Sequence, residues 1–296
     1  MLVSSDVPAP WIAVAGLVIL AFTLREIFKD LFNPSARGTL SGVVARTTFR
    51  MGRLIRPLLP VAGPLALVLV MMCWAFLIAC GFALVYWAGF PGDFRFHIPQ
   101  DQHQGGFGTM LYFSLEVLTT LGLGDITPLS GWTRAAAVLE ALIGLALVTA
   151  SVSWIVLLYP ALARLRTLAR RASTLVKAGQ QTGLDVMSED VEYVLAELAL
   201  DLIRTRVDFI HFPIIYYFHS DTMDASLPRA LQLLSKFAQA GTEQKDDKRL
   251  RLASAALSTA LAELASLLAD KFGRGDASDT DAVLAAYAED HLLKGG

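Results

Sequence analysis

The stretch TTLGLGD, Thr119 to Asp125, combines residue types that suit holding a bare cation with main-chain atoms rather than with side chains. It has two threonines, two glycines alternating with leucines, and a carboxylate, set between long apolar runs. A cation stripped of water needs oxygen ligands in place of its shell. Stacked rings of backbone carbonyls supply them when every carbonyl points at one axis. Successive peptides facing the same way require dihedrals that only glycine adopts cheaply at alternate positions. Gly122 and Gly124, spaced by two, meet that demand. The carbonyls of Thr120, Leu121, Gly122 and Leu123 are the candidate rings, with the Thr120 hydroxyl adding an inner one and Gly124 completing the ion-binding motif.

Such a backbone must be positioned by the elements around it. The sequence before it, TMLYFSLEVLTT (109–120), is apolar with helical character but too short to cross a bilayer. A short apolar helix followed by glycines reads as a re-entrant pore helix, because irregular backbone at membrane depth is tolerated only where it is buried in protein or lines water. The negative end of its dipole would face the cavity and favour cations. Residues 58–90 carry no charge, and 135–162 carry one, Glu140. Both are long enough for the ~30 Å hydrocarbon layer. Residues 7–32 contain a shorter apolar core. Two readings stand there: a third span with Arg25, Glu26, Lys29 and Asp30 at the inner headgroups, or a helix lying on the membrane surface.

The chain of 296 residues is 54% hydrophobic and 18% charged, with a mean hydropathy of +0.51. That is too apolar for an ordinary soluble domain, and the charge falls mostly in the second half. A net charge of −2 leaves no footprint for a nucleic-acid partner. Cys73 and Cys80 both lie in an apolar run and make no disulfide framework. Basic residues cluster at 25–56 and 164–177, with only Arg95 and Arg134 between the second and third spans. The positive-inside rule therefore places the N-terminus outside, 25–57 inside, 91–134 outside and the C-terminal half inside a plasma (bacterial inner) membrane. The anionic lipid headgroups of that membrane are candidate partners of Arg164, Arg166, Arg170 and Arg171, the alternative being an ordinary positive-inside excess.

The motif and its flanks resemble the pore module of tetrameric potassium channels, of the simple bacterial two-transmembrane type, whose filter reads T-V-G-Y-G-D. FSLEVLTTLGLGD matches that family's pore helix and filter, Pro128, Trp132 and Arg134 match the P-x-x-x-W-x-R that follows, and RAAAVLEALIGL is similar to its inner helix. The resemblance covers roughly 58–160. It implies potassium as the permeant ion at Thr120, Leu121, Gly122 and Leu123, with no other cofactor. It implies filter support from Glu116, Asp125, Trp132, Tyr112, Phe113, Thr119 and Glu140, and a gating hinge at Gly144. Glu116 is expected to share a proton with Asp125, the alternative being a carboxylate facing external water. Glu140 is expected to bond the neighbouring pore helix, for example at the Thr119 hydroxyl, with a cavity-facing role as the alternative. Leu123 stands where the family has tyrosine and lacks its hydroxyl; Tyr112 and Phe113 are expected only to pack against it. One motif per chain cannot enclose an ion, so a homotetramer is expected.

No span has arginine at every third position, so no voltage-sensing helix of the usual kind is expected. Pro160 is expected to kink or break the third span. The remainder reads as helices over 186–209, 226–240, 249–272 and 279–293, with Ser188 as an N-cap. Between the first two, 207–220 suits a core-buried break, a short strand or a membrane-surface patch. His211, His219, Asp221 and Asp224 read as ordinary polar residues rather than metal ligands. AGQQTG (178–183) lacks the strand and spacing of a dinucleotide fingerprint. No nucleophile–base pair marks an enzyme.

The expected fold class is an all-α membrane protein: three transmembrane helices with a re-entrant pore helix and selectivity filter, plus a helical cytosolic domain. The expected parts are an N-terminal membrane helix (1–33), a basic cytosolic linker (34–57), a potassium-channel-like pore domain (58–160) and a helical cytosolic domain (161–296). Three functions fit: a potassium channel, a non-selective monovalent cation channel, and a non-conducting membrane sensor or scaffold retaining the pore fold.

Overall fold

A computed structural model describes residues 10–32, 39–55, 59–97, 106–183, 191–220, 222–243, 247–273, 276 and 278–291. It is built almost entirely of helices: α1 (Trp11–Phe32), α2 (Thr39–Leu54), α3 (Ala62–Trp87), α4 (Phe107–Leu118), α5 (Gly131–Thr182), α6 (Glu192–His211), α7 (Leu227–Glu243), α8 (Lys248–Phe272) and α9 (Thr280–His291). Four of them, α1, α3, α5 and α8, are long and apolar enough to cross a membrane, and α4 is a shorter apolar helix.

The chain divides into two compact units. The first comprises Met1–Val44 with Leu67–Ile155, the second Ala45–Ala66 with Val156–Gly296. This differs from the expected parts, because 45–55, within the expected linker 34–57, does not stand alone. It forms most of α2 and clusters with the C-terminal half. The reason lies in its side chains. Phe49 is 3% exposed and its ring lies 5.4 Å from that of Tyr217 and 5.3 Å from that of His291. Arg53 pairs with Asp290 at 2.6 Å.

In the first unit α1 packs on α3 through glycines. A Cβ at Gly16 would lie 2.5 Å from the Gly81 carbonyl oxygen, so the helices approach at backbone distance. Such small-residue contacts are the usual way apolar helices associate without water. At its far end Glu26 accepts the Leu40 N–H at 3.3 Å, placing a carboxylate on the N-terminus of α2. Two three-residue strands, Phe94–Phe96 (β1) and Ile126–Pro128 (β2), pair antiparallel with Phe96 opposite Ile126. They close the loop that carries α4 and TTLGLGD. Strands this short leave no period in the sequence.

α5 runs unbroken for 52 residues with Pro160 inside it, about 78 Å at the standard rise. Of the kink or break expected at Pro160, the break does not occur. In the second unit α8 is the central helix. Its Leu250, Leu257, Leu261, Leu264 and Leu268 are buried as it packs against α6, α7 and α9. Its apolar character thus belongs to a helical core, capped by Asp247, which accepts the Arg249 and Leu250 N–H groups. The uncertain 207–220 stretch is a core-buried break: α6 stops at His211, and a 3-10 turn over Pro213–Tyr217 buries Ile214, Ile215, Tyr216 and Tyr217. Ser188 lies outside the described residues.

Candidate functional site: the TTLGLGD backbone and its supports

α4 aims TTLGLGD. Its buried face, Met110, Phe113, Ser114, Glu116 and Leu118, follows helical spacing. Phe113 sits edge-on to Tyr86 and Phe94, with ring centroids 5.1 and 5.3 Å away. The helix winds out through Thr119 N–H to Leu115, Thr120 N–H to Val117 and Leu121 N–H to Glu116.

Beyond that point the backbone alternates in hand. Thr120, Gly122 and Gly124 have φ of +55°, +62° and +77°, while Leu121 and Leu123 do not. Alternation of this kind turns successive carbonyls to one side. The glycines meet it freely, whereas Thr120 sits where side chains are disfavoured. Among the described residues no donor is hydrogen-bonded to the carbonyls of Thr120, Leu121, Gly122 or Leu123. Leu121 and Leu123 are 64% and 61% exposed in the single chain.

The supports differ from the sequence expectation in three places. Glu116 is buried, but its Oε1 accepts the Gly124 N–H at 3.0 Å instead of bonding Asp125. The left-handed glycine turns that N–H back toward α4, where the carboxylate satisfies it. Asp125 instead accepts the Tyr112 hydroxyl at 3.0 Å and its neighbour's Ile126 N–H at 2.9 Å. Tyr112 therefore does more than pack: its hydroxyl ties α4 to the end of the motif. Thirdly, Glu140 bonds α4, as expected, but at Ser114 and not at Thr119, whose hydroxyl donates to the Leu115 carbonyl at 2.7 Å. Glu140 is fully buried against Tyr86 Oη at 2.7 Å and against Ser114 Oγ. Ser114 also lies 2.9 Å from the Ala79 carbonyl.

Trp132 and Arg134 tie down the segment that flanks β2. Trp132 Nε1 donates to Asp93 at 3.0 Å and Arg134 Nε to the Pro128 carbonyl at 3.2 Å. Gly144 is tightly packed. A Cβ there would lie 2.1 Å from the Leu118 carbonyl oxygen, so α5 touches the C-terminal end of α4 where only glycine fits. Thr149 and Ser153, exposed on α5, donate to the carbonyls of Leu145 and Thr149. Tyr86, Ser114 and Asp93 were not among the candidates read from the sequence. Tyr86 lies in an uncharged apolar run and Ser114 inside the short apolar helix α4, and a polar group in such a run is the one available signal. Among the described residues no group of His, Cys, Asp and Glu could hold a metal ion with side chains, and Cys73 and Cys80 are free.

Comparison with known proteins agrees with this geometry. Residues 71–158 match a family model described as "Ion channel". The chain is 25% identical over 234 residues to an uncharacterized membrane protein of Bacillus subtilis (strain 168), YdjJ, covering 75% of this chain and 67% of that one. No solved structure matches. The protein has helices long and apolar enough to cross a membrane, and its residues 71–158 are similar to an ion-channel pore module of the simple two-transmembrane type.

Proposed function

We propose that the protein conducts potassium through a filter formed by four copies of TTLGLGD. In this reading α1, α3 and the first part of α5 span the membrane, α4 re-enters it from outside, and the second unit lies in the cytoplasm. The observation that carries the reading is the alternating backbone hand at Thr120, Gly122 and Gly124. It supplies carbonyls with no hydrogen-bond donor on them, next to the C-terminal end of a short apolar helix. Ions would pass by mutual displacement between adjacent carbonyl rings. The test is potassium flux from proteoliposomes holding the purified protein, with Gly122→Asp as the blocked control. Flux from wild type and none from the variant supports the reading. Equal leak from both sinks it.

A looser, non-selective monovalent cation pore is favoured by one feature. Leu123 has no hydroxyl to brace the filter, and the nearby Tyr112 hydroxyl is spent on Asp125. The reversal potential with potassium on one side and sodium on the other separates the two. A strongly displaced potential means a potassium channel, and one near zero a non-selective pore.

A further inference from the structure

The buried junction of α3, α4 and α5 forms three hydrogen bonds and so needs three protons. Tyr86 Oη lies 2.7 Å from Glu140 Oε2, Ser114 Oγ lies 2.9 Å from the Ala79 carbonyl oxygen, and Ser114 Oγ also touches Glu140 Oε1. Tyr86 brings one proton and Ser114 one, while the Ala79 carbonyl brings none. With Glu140 a carboxylate, the inventory stops at two. If Ser114 then donates to Ala79, its lone pairs face the charged Oε1. If it donates to Glu140, they face the Ala79 carbonyl. With Glu140 a carboxylic acid the inventory closes. Its O–H is given to Ser114, the Ser114 proton to Ala79, and the Tyr86 proton to the other oxygen of Glu140. Tyr86, Ser114 and Glu140 are all 0% exposed, and neither Lys nor Arg takes part in these bonds. A lone charge in such a place is expensive.

We propose that Glu140 is a proton-donating positioning residue: as a neutral acid it ties the middle of α4 to α3 and α5 and so holds the backbone leading into TTLGLGD. One turn along α5, Gly144 receives the Leu118 carbonyl, so α5 grips α4 at two points. The role in conduction rests on the channel reading, but the protonation state does not.

The experiment compares full-length wild type, Glu140→Gln and Glu140→Ala, each purified and returned to liposomes. The glutamine amide can donate to Ser114 and accept from Tyr86, so Glu140→Gln keeps potassium flux within about twofold of wild type. Glu140→Ala leaves the buried Tyr86 hydroxyl without its acceptor and Ser114 without its donor, and loses flux by roughly tenfold or more. The infrared difference spectrum of wild type minus Glu140→Gln shows the C=O stretch of a protonated carboxylic acid, and Tyr86→Phe shifts that band. The proposal is overturned if glutamine is as damaging as alanine, or if the difference spectrum holds carboxylate bands instead. If wild type passes no potassium, the channel reading fails, and the infrared spectrum alone decides the state of Glu140.

Discussion

At Gly144 the missing side chain is a packing requirement. A Cβ there would stand 2.1 Å from the Leu118 carbonyl oxygen, which is main chain and cannot swing aside. Overpacking of this kind costs about 1–3 kcal/mol. Gly144→Ala is therefore expected to lower the melting temperature of the detergent-purified protein and, on the channel reading, to reduce flux, because the atom displaced ends the helix that leads into TTLGLGD. A variant that melts and conducts like wild type would show the close contact to be absent in the working protein. Tyr112→Phe removes the hydroxyl that Asp125 accepts. Its readout is the potassium-against-sodium reversal potential, expected to move toward zero with little change in melting. The glycines and Thr120 were legible in the sequence because their demand is on the backbone and local to a few residues. The Tyr86–Glu140–Ser114 contacts were not, because their members lie 54 and 26 residues apart. A single sequence marks a buried acid without naming what it meets. The Glu116–Asp125 expectation failed for a related reason: the N–H exposed by Gly124 competes for the same carboxylate.

Among the elements, α2 shows how charge can mask packing. Its arginines look like an ordinary inner-loop excess, yet Phe49 is buried and Arg53 reaches Asp290, whose side chain is 2% exposed. Asp290 also accepts the Tyr216 hydroxyl at 2.6 Å. Arg53→Ala removes the ion pair from that buried carboxylate. The expected destabilisation is roughly 1–3 kcal/mol, below the fully buried value because Arg53 is half-exposed. Faster amide exchange in α9 would register it, and unchanged exchange would deny the contact. Beside it His291 is buried, with Nδ1 3.0 Å from the Tyr287 carbonyl and Nε2 2.6 Å from that of Tyr216. Burial holds its pKa below the ordinary histidine value, outweighing the two carbonyls and Asp290, which pull it up. A depressed histidine favours the fold while neutral. Its contribution is full above the ordinary value near 6.5 and is lost as the pH falls through the lowered one. Melting of the second unit should therefore fall on acidification below about pH 6.5, and His291→Gln should flatten that dependence. The long helices were readable from periodicity to within a few residues at most ends. Whether α5 breaks at Pro160 was not, because a proline's cost to a helix is set by what the surrounding structure satisfies.

For the whole molecule the pore reading makes a demand that no single chain meets. Leu121 and Leu123 are more than half exposed, and so are Leu142, Leu145, Val148, Val152 and Val156 along α5. In the proposed assembly these surfaces are covered by neighbouring copies, by lipid or by the water of the pore. A conduit closed by rotation needs every copy, so one defective filter stops the particle. Gly122→Asp puts a charged side chain at a φ of +62° in the middle of the motif. Co-expressed with wild type in equal amounts and mixed freely, it should leave only about one sixteenth of four-chain particles free of the variant, with current falling in proportion. A pore made by two chains would retain roughly a quarter, and a pore complete within one chain about half. The residual current thus reads out how many copies share the conduit, and it does so with purified mass and bi-ionic selectivity as independent checks on the same particles.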